Sequence, residues 1–337
     1  MPEKPAITSS ELGTLWLTYQ EKTMILRMLE YFIEKADDEK AKDLMTNLYN
    51  EVDLFVNKII EIFKNEGATI PVGFTTTQDV NKEVPKLYDN GFDIMFVRLL
   101  KEISMGLHSL NITMSYREDV VMLFKDLTAM TQKYYNQCTQ YLLEKGMLAR
   151  PPYVPMPQSV EFVKDTSYLS GLAINPFSGK RTLNTVEVAH LHHAIDSNTT
   201  GMQMITGFAQ CATESEVKRY FNEGAELAKG IIKELSETLL ESDLPSPVPS
   251  GGNATRSTIA PFSDKLMMYC TSLFCSFSVG SSSLGTAFSL RNDLPVKMTV
   301  FMKDIFEYAH KGGKIMIKNG WMEEVPQMAE RKQIMKK

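Results

Sequence analysis

What this 337-residue chain has least of is the equipment of chemistry. Its four cysteines, Cys138, Cys211, Cys270 and Cys275, show neither metal nor redox spacing, and they read as small buried hydrophobes. No glycine loop of the phosphate- or dinucleotide-binding kind is present, and Gly251-Gly252 follows no strand-like run. Ser281-Ser282-Ser283 has no histidine and acid in register, so nucleophilic catalysis finds no support. The amino terminus has no apolar signal core, which sets a cytoplasmic, reduced compartment as the expectation. A net charge of -5 gives no electrostatic reason to expect nucleic acid.

Charge is missing altogether between Lys265 and Arg291. A run of that length invites a membrane reading, but Ser and Thr are too frequent in it, and membrane insertion is not expected. A surface helix shows a charged face, so this one is expected to be covered nearly all round, the best packed of the molecule.

What is present is a globular composition, 43% hydrophobic with 21 methionines, which favours helices with Met-filled cores. The chain also repeats itself. Advanced by 176 positions, Glu11 meets Glu187, Met28 meets Met204, Phe32 meets Phe208 and Pro71 meets Pro247. Advanced by 174, Gly106 meets Gly280, Arg117 meets Arg291, Tyr134 meets Tyr308 and Gly146 meets Gly320. The expected organisation is a first unit over 1–149, a linker over 150–181 containing PPYVPMP and NPFSGK, and a second unit over 182–337 with a frayed tail.

Each unit reads as four helices. The first opens on a capping box, Thr8 with Glu11 or Asn184 with Glu187. Its stripe in the first unit runs Leu12, Leu15, Trp16, Tyr19, Leu26, Leu29 and Ile33. A tight turn leads to an antiparallel second helix. A long Pro- and Gly-bearing stretch follows, and since a helix of about 25 residues is about 38 Å long, roughly 12 extended residues suffice to run its length. A short turn then joins helices three and four, with Asp119 and Asp293 expected as caps and Gly146 and Gly320 as left-handed stops. Two hairpins joined by a long crossover make an all-α fold of two tandem ferritin-like four-helix bundles.

After helix four stand Gly146-Met147-Leu148-Ala149-Arg150-Pro151-Pro152 and, more loosely, Gly320-Trp321-Met322-Glu323-Glu324-Val325-Pro326. Tandem bundles with this closure resemble domain-of-unknown-function family 3231 of spore-forming Gram-positive bacteria, over nearly the whole chain. The resemblance implies a ferritin-like fold, a distant similarity to spore coat proteins of the coat-F type, and no catalytic residues to carry over.

A ferritin-like bundle raises the question of a dinuclear iron or manganese site, which needs Glu-x-x-His pairs on facing helices. The second unit has Glu187-Val188-Ala189-His190 and Glu307-Tyr308-Ala309-His310. Against a site stand the capping role of Glu187, the offset of His310 from His190, and a third helix whose core-forming length carries no carboxylate. The first unit offers Glu51, Glu102 and His108 but no Glu-x-x-His. A mononuclear zinc or copper site from His190, His192 and His193 is a further candidate.

The leading expectation is a non-enzymatic structural or interaction protein without cofactor, cytoplasmic or spore-associated, whose partners are further copies or spore-layer proteins. The metal-binding reading through Glu187, His190, His193, Glu307 and His310 is the alternative, and a carrier of small apolar ligands between Met-rich helices is a third. Because the first unit keeps Asp93, Arg98, Lys101 and Glu102 where the second has lost charge, Gly280, Ser283 and Ala287 are expected to contact the other unit or a second chain.

Overall fold

The computed structural model describes residues 5–89, 91–171, 180–247 and 251–335. In the first unit α1 (Ser9–Lys35) and α2 (Glu39–Asn65) form one hairpin, and α4 (Phe92–Thr113) and α5 (Glu118–Glu144) the other. The crossover between them carries one short turn of helix, α3 (Thr76–Asp79). The second unit repeats this with α6 (Thr185–Cys211), α7 (Ser215–Leu240), α8 (Asp264–Phe288) and α9 (Asp293–Lys318), and the tail ends in α10 (Arg331–Ile334). In each unit the hairpins close into a ring, the second helix packing on the fourth and the first on the third. Among the described residues there is no strand, and no helix is long and apolar enough to cross a membrane. Between the units, residues 172–179, most of the NPFSGK part of the expected linker, lie outside the described residues, and 166–169 make a single 3-10 turn.

The helix ends follow the sequence signals. Thr8 and Asn184 accept from the amides of Glu11 and Glu187, and each glutamate returns to the cap amide at 2.9 Å. The same carboxylates reach further. Glu11 accepts the amides of Tyr116 and Arg117 at 2.8 and 2.7 Å, and Glu187 those of Leu290 and Arg291 at 3.1 and 2.9 Å. Each therefore ties the start of its bundle's first helix to the turn before the fourth. Gly146 and Gly320 take positive φ of 66 and 68°, and the next amide in each case returns five residues, Met147 to Leu142 and Trp321 to Met316.

Two expectations give way. Asp119 and Asp293 do not cap α5 and α9; they lie inside the first turn and grip the guanidinium groups of Arg117 and Arg291 at 2.7 and 2.8 Å, a charge-assisted pairing that outcompetes an exposed amide. Nor is α8 covered all round. Leu266, Met267, Met268, Cys270 and Cys275 are buried, but Ser276, Gly280, Ser283, Leu284, Ala287 and Phe288 are exposed. Hydroxyls give this face polarity without charge: Ser276 and Thr286 donate to the carbonyls four residues back, at 3.0 and 2.8 Å. Lack of charge does not demand burial where serine and threonine supply the polarity.

The two crossovers meet at the centre of the molecule. Asn81 donates its amide to Pro261 and Thr255 to Leu87, both at 2.8 Å; Asp89 donates to Asn253 at 2.8 Å and Ser263 to Asp79 at 3.1 Å. Under the 174-residue repeat each pair of bonds is one bond drawn twice. The isolated bridges Val80 with Phe262 and Tyr88 with Ala254 obey the same relation. That reciprocity is the mark of an isologous, two-fold contact, so the bundles sit as the halves of a homodimer would.

Candidate functional site

At the centre of the first bundle, where an apolar layer belongs, the chain buries a charged cluster. The helical period of α1 through Leu15, Tyr19, Leu26 and Leu29 passes through Lys22, which is fully buried. Its Nζ lies 3.0 Å from Glu21 Oε1 and donates to Ser104 Oγ at 3.3 Å, and Ser104 in turn donates to Glu21. From α4, His108 Nε2 stands 3.6 Å from Glu21 Oε2, while its Nδ1 is 3.3 Å from Thr131 Oγ1 on α5. Lys101, also fully buried, has no hydrogen-bond partner for its Nζ among the described residues.

Protonation follows from this packing. Burial would raise the Glu21 carboxyl, but the Lys22 ammonium, His108 and Ser104 together hold it well below its usual range. Burial, reinforced by Lys22, lowers Lys101 to about 7. Burial lowers His108 to about 4 even with Glu21 beside it, so its imidazole is neutral near pH 7. The cluster is a salt bridge with a neutral histidine and a reluctant ammonium, and an ammonium already stands on its carboxylate.

The second bundle has none of this. Ser197, Asn198, Cys275, Ser278 and Ser282 occupy the repeat positions of Glu21, Lys22, Lys101, Ser104 and His108, and Gly201 and Ala228 those of Ile25 and Val52. The lost volume appears as a pocket of about 80 Å³ among α6, α7, α8 and α9, with Leu99 of the first bundle also lining it. A second, open groove runs between the units, lined by Ile103, Gly106 and Leu110 of α4 and by Phe277, Gly280 and Leu284 of α8.

The metal candidates are dispersed. Glu187 is consumed by its capping box, two loop amides and both terminal nitrogens of Arg181, at 2.8 and 2.7 Å. Burial would raise its carboxyl, but these donors hold it at about 2. His190 stacks on Phe288 with ring centroids 6.0 Å apart. His193 pairs with Glu102 of the first bundle, an acid that raises the imidazole's pKa against the opposing effect of burial. His192 is buried on another face. Glu307 pairs with Lys303 at 3.1 Å, and His310 is exposed beside Phe306. Among the described residues no three His, Cys, Asp or Glu side chains gather to hold a metal ion. Of the interface candidates, Gly280, Ser283 and Ala287 are exposed within this chain, and the contact of α8 with the first bundle is made earlier, where Phe274 stacks on Phe96 at 5.6 Å.

The family described as Protein of unknown function (DUF3231) matches residues 1–160 and again 173–334. The chain belongs to that family. Both copies of the DUF3231 unit are thus present, each matching one bundle. No curated protein matches the chain. A solved structure from Bacillus halodurans C-125, described as a candidate spore coat protein, is similar at 17% identity with a TM-score of 0.41, over 44% of this chain and 98% of that one.

Sequence reasoning named His108 and Glu102 in this DUF3231 chain but passed over Glu21 and Lys22, and named Lys101 only among the charges the first unit keeps, whereas it is fully buried. The signal was there: with Tyr19 and Leu26 on the core stripe, the helical period demands a core residue at position 22, and the residue is lysine.

Proposed function

We propose that this DUF3231 protein is a non-enzymatic structural protein that assembles with further copies of itself, with a degenerate ferritin-like site at its bundle centres and a spore-layer setting of the kind the family resemblance implies. The observation that carries the reading is the groove between α4 and α8. Repeat-equivalent residues line it, Ile103 and Phe277, Gly106 and Gly280, Leu110 and Leu284, so the groove follows the internal two-fold relation. A surface with that symmetry fits a second copy of itself. Leu107, Leu110 and Leu284 line it and are exposed, an apolar surface that suits an interface better than solvent. Gly280, Ser283 and Ala287 would come closest to the second copy. The degenerate site has its support in the first bundle, where Lys22 supplies the positive charge a metal ion would bring to Glu21.

Analytical ultracentrifugation tests this. The wild type is expected to sediment as a multiple of the 38.1 kDa chain, and a Leu110→Glu/Leu284→Glu variant as a single chain with unchanged helical circular dichroism. A monomeric wild type, or unaltered assembly in the variant, would refute the proposal.

A further inference from the structure

We infer that the pocket of the second bundle is a binding site for a small, neutral amphiphile, of the chemical class of a short-chain alcohol. The pocket exists because six of these core positions shrink between the repeats, among them Lys22 to Asn198, Ile25 to Gly201, Lys101 to Cys275 and His108 to Ser282. Collapse has not closed it. A Cβ at Gly201 would meet only the Phe274 ring, at 3.9 Å, so the glycine leaves room that the neighbouring helices do not take up.

The lining specifies the ligand. Ile205, Leu227, Ile231 and Ile305 supply an apolar wall, while Ser278 and Ser282 add hydroxyls. Ser197 lines the same space, and its Oγ is buried without a hydrogen-bond partner among the described residues. A buried hydroxyl left unmatched costs free energy, which a ligand hydroxyl recovers by pairing with it. No Asp, Glu, Lys, Arg or His is among the lining residues, so a charged ligand would be desolvated with nothing to compensate. At about 80 Å³ the pocket is about half the ~150 Å³ cavity that accepts a benzene ring. A compact molecule fits, and a longer tail has an exit: Phe277 and Ser281 line both this pocket and the groove between the units.

The probe is 1-butanol, followed by methyl NMR of the full chain. Saturable shifts are expected at Ile205, Ile231 and Ile305, with none at Ile59 in the first bundle. Gly201→Ile restores the residue of the first repeat and should abolish those shifts while the protein stays folded. Ser197→Ala should weaken 1-butanol binding about five-fold, the worth of one hydrogen bond. Absence of saturable shifts in the wild type, or binding undiminished in Gly201→Ile, overturns the inference. Undiminished binding in Ser197→Ala overturns the assignment of Ser197 as the polar anchor.

Discussion

Lys101 is the residue that costs this fold most visibly. Its ammonium is buried with no partner among the described residues, and the unfolded chain holds that proton up to its ordinary value of 10.5 while the folded chain holds it only to about 7. The unfolded state therefore binds more protons between these values, and stability rises with pH across them. Below pH 7 the penalty is present in full; toward pH 10.5 it fades. Lys101→Met keeps the length and removes the charge, so it should stabilise the protein by about 1–4 kcal/mol below pH 7, with the gain shrinking as the pH climbs. Urea titrations of both proteins across that range check it; a gain independent of pH would contradict the assignment. The neighbouring cluster shows what a periodic pattern conveys. Periodicity located the core face of α1, but it grades positions by hydrophobicity and passes over Lys22, which sits on that face with its charge matched by Glu21 and with Ser104 of another helix bonded to both. Glu21 and Ser104 are 83 residues apart, and only the bundle brings them together.

At the scale of elements, the capping boxes were legible because all their members lie within four residues. Their second role was not, since the amides of Tyr116 and Arg117 reach Glu11 across more than a hundred residues. Burial works against the ionised form of Glu11, but the hydrogen bonds from Thr8, Tyr116 and Arg117 hold its carboxyl at about 2, and Glu187 is held at about 2 by Arg181 and its amides. With folded values depressed below the ordinary 4.5, the stability these groups supply is present above pH 4.5 and is lost as the pH falls toward 2. Glu187→Gln should cost about 2–4 kcal/mol at neutral pH, because it removes the charge opposite Arg181 and puts an NH2 where the second oxygen accepts from the Asn184 amide and Arg181, and it should flatten the acid limb of a pH–stability curve. An unchanged acid midpoint would count against this. For α8 the error ran the other way: its serines satisfy themselves on their own helix, so a charge-free sequence did not demand cover.

The whole molecule is held at its middle by paired crossovers, and the repeat made the two bundles legible while leaving their contact invisible. No sequence pattern announces that Asp79 will meet Ser263. Here the internal symmetry is broken by size. Tyr31 meets the Phe262 ring at 5.2 Å; at the equivalent place Gly207 faces Tyr88, whose hydroxyl donates to Met204 O at 2.6 Å. A Cβ on Gly207 would fall 2.5 Å from the Tyr88 ring, which is itself stacked on Phe92 at 3.8 Å and has nowhere to move. Gly207→Ala should therefore destabilise the protein by about 2–3 kcal/mol, although alanine is the better helix former by about 1 kcal/mol. Thermal unfolding decides it, and a more stable variant would show that the ring yields.

Fusing the halves into one chain has a consequence for what selection can do with them. In a true homodimer every substitution is made twice, so a hollow in one bundle is a hollow in both, and a buried lysine is endured in duplicate. Here the Tyr88 and Gly207 pair shows that each half changes alone, and one bundle can stay solid while its twin opens. The paired crossovers are what make that division of labour affordable.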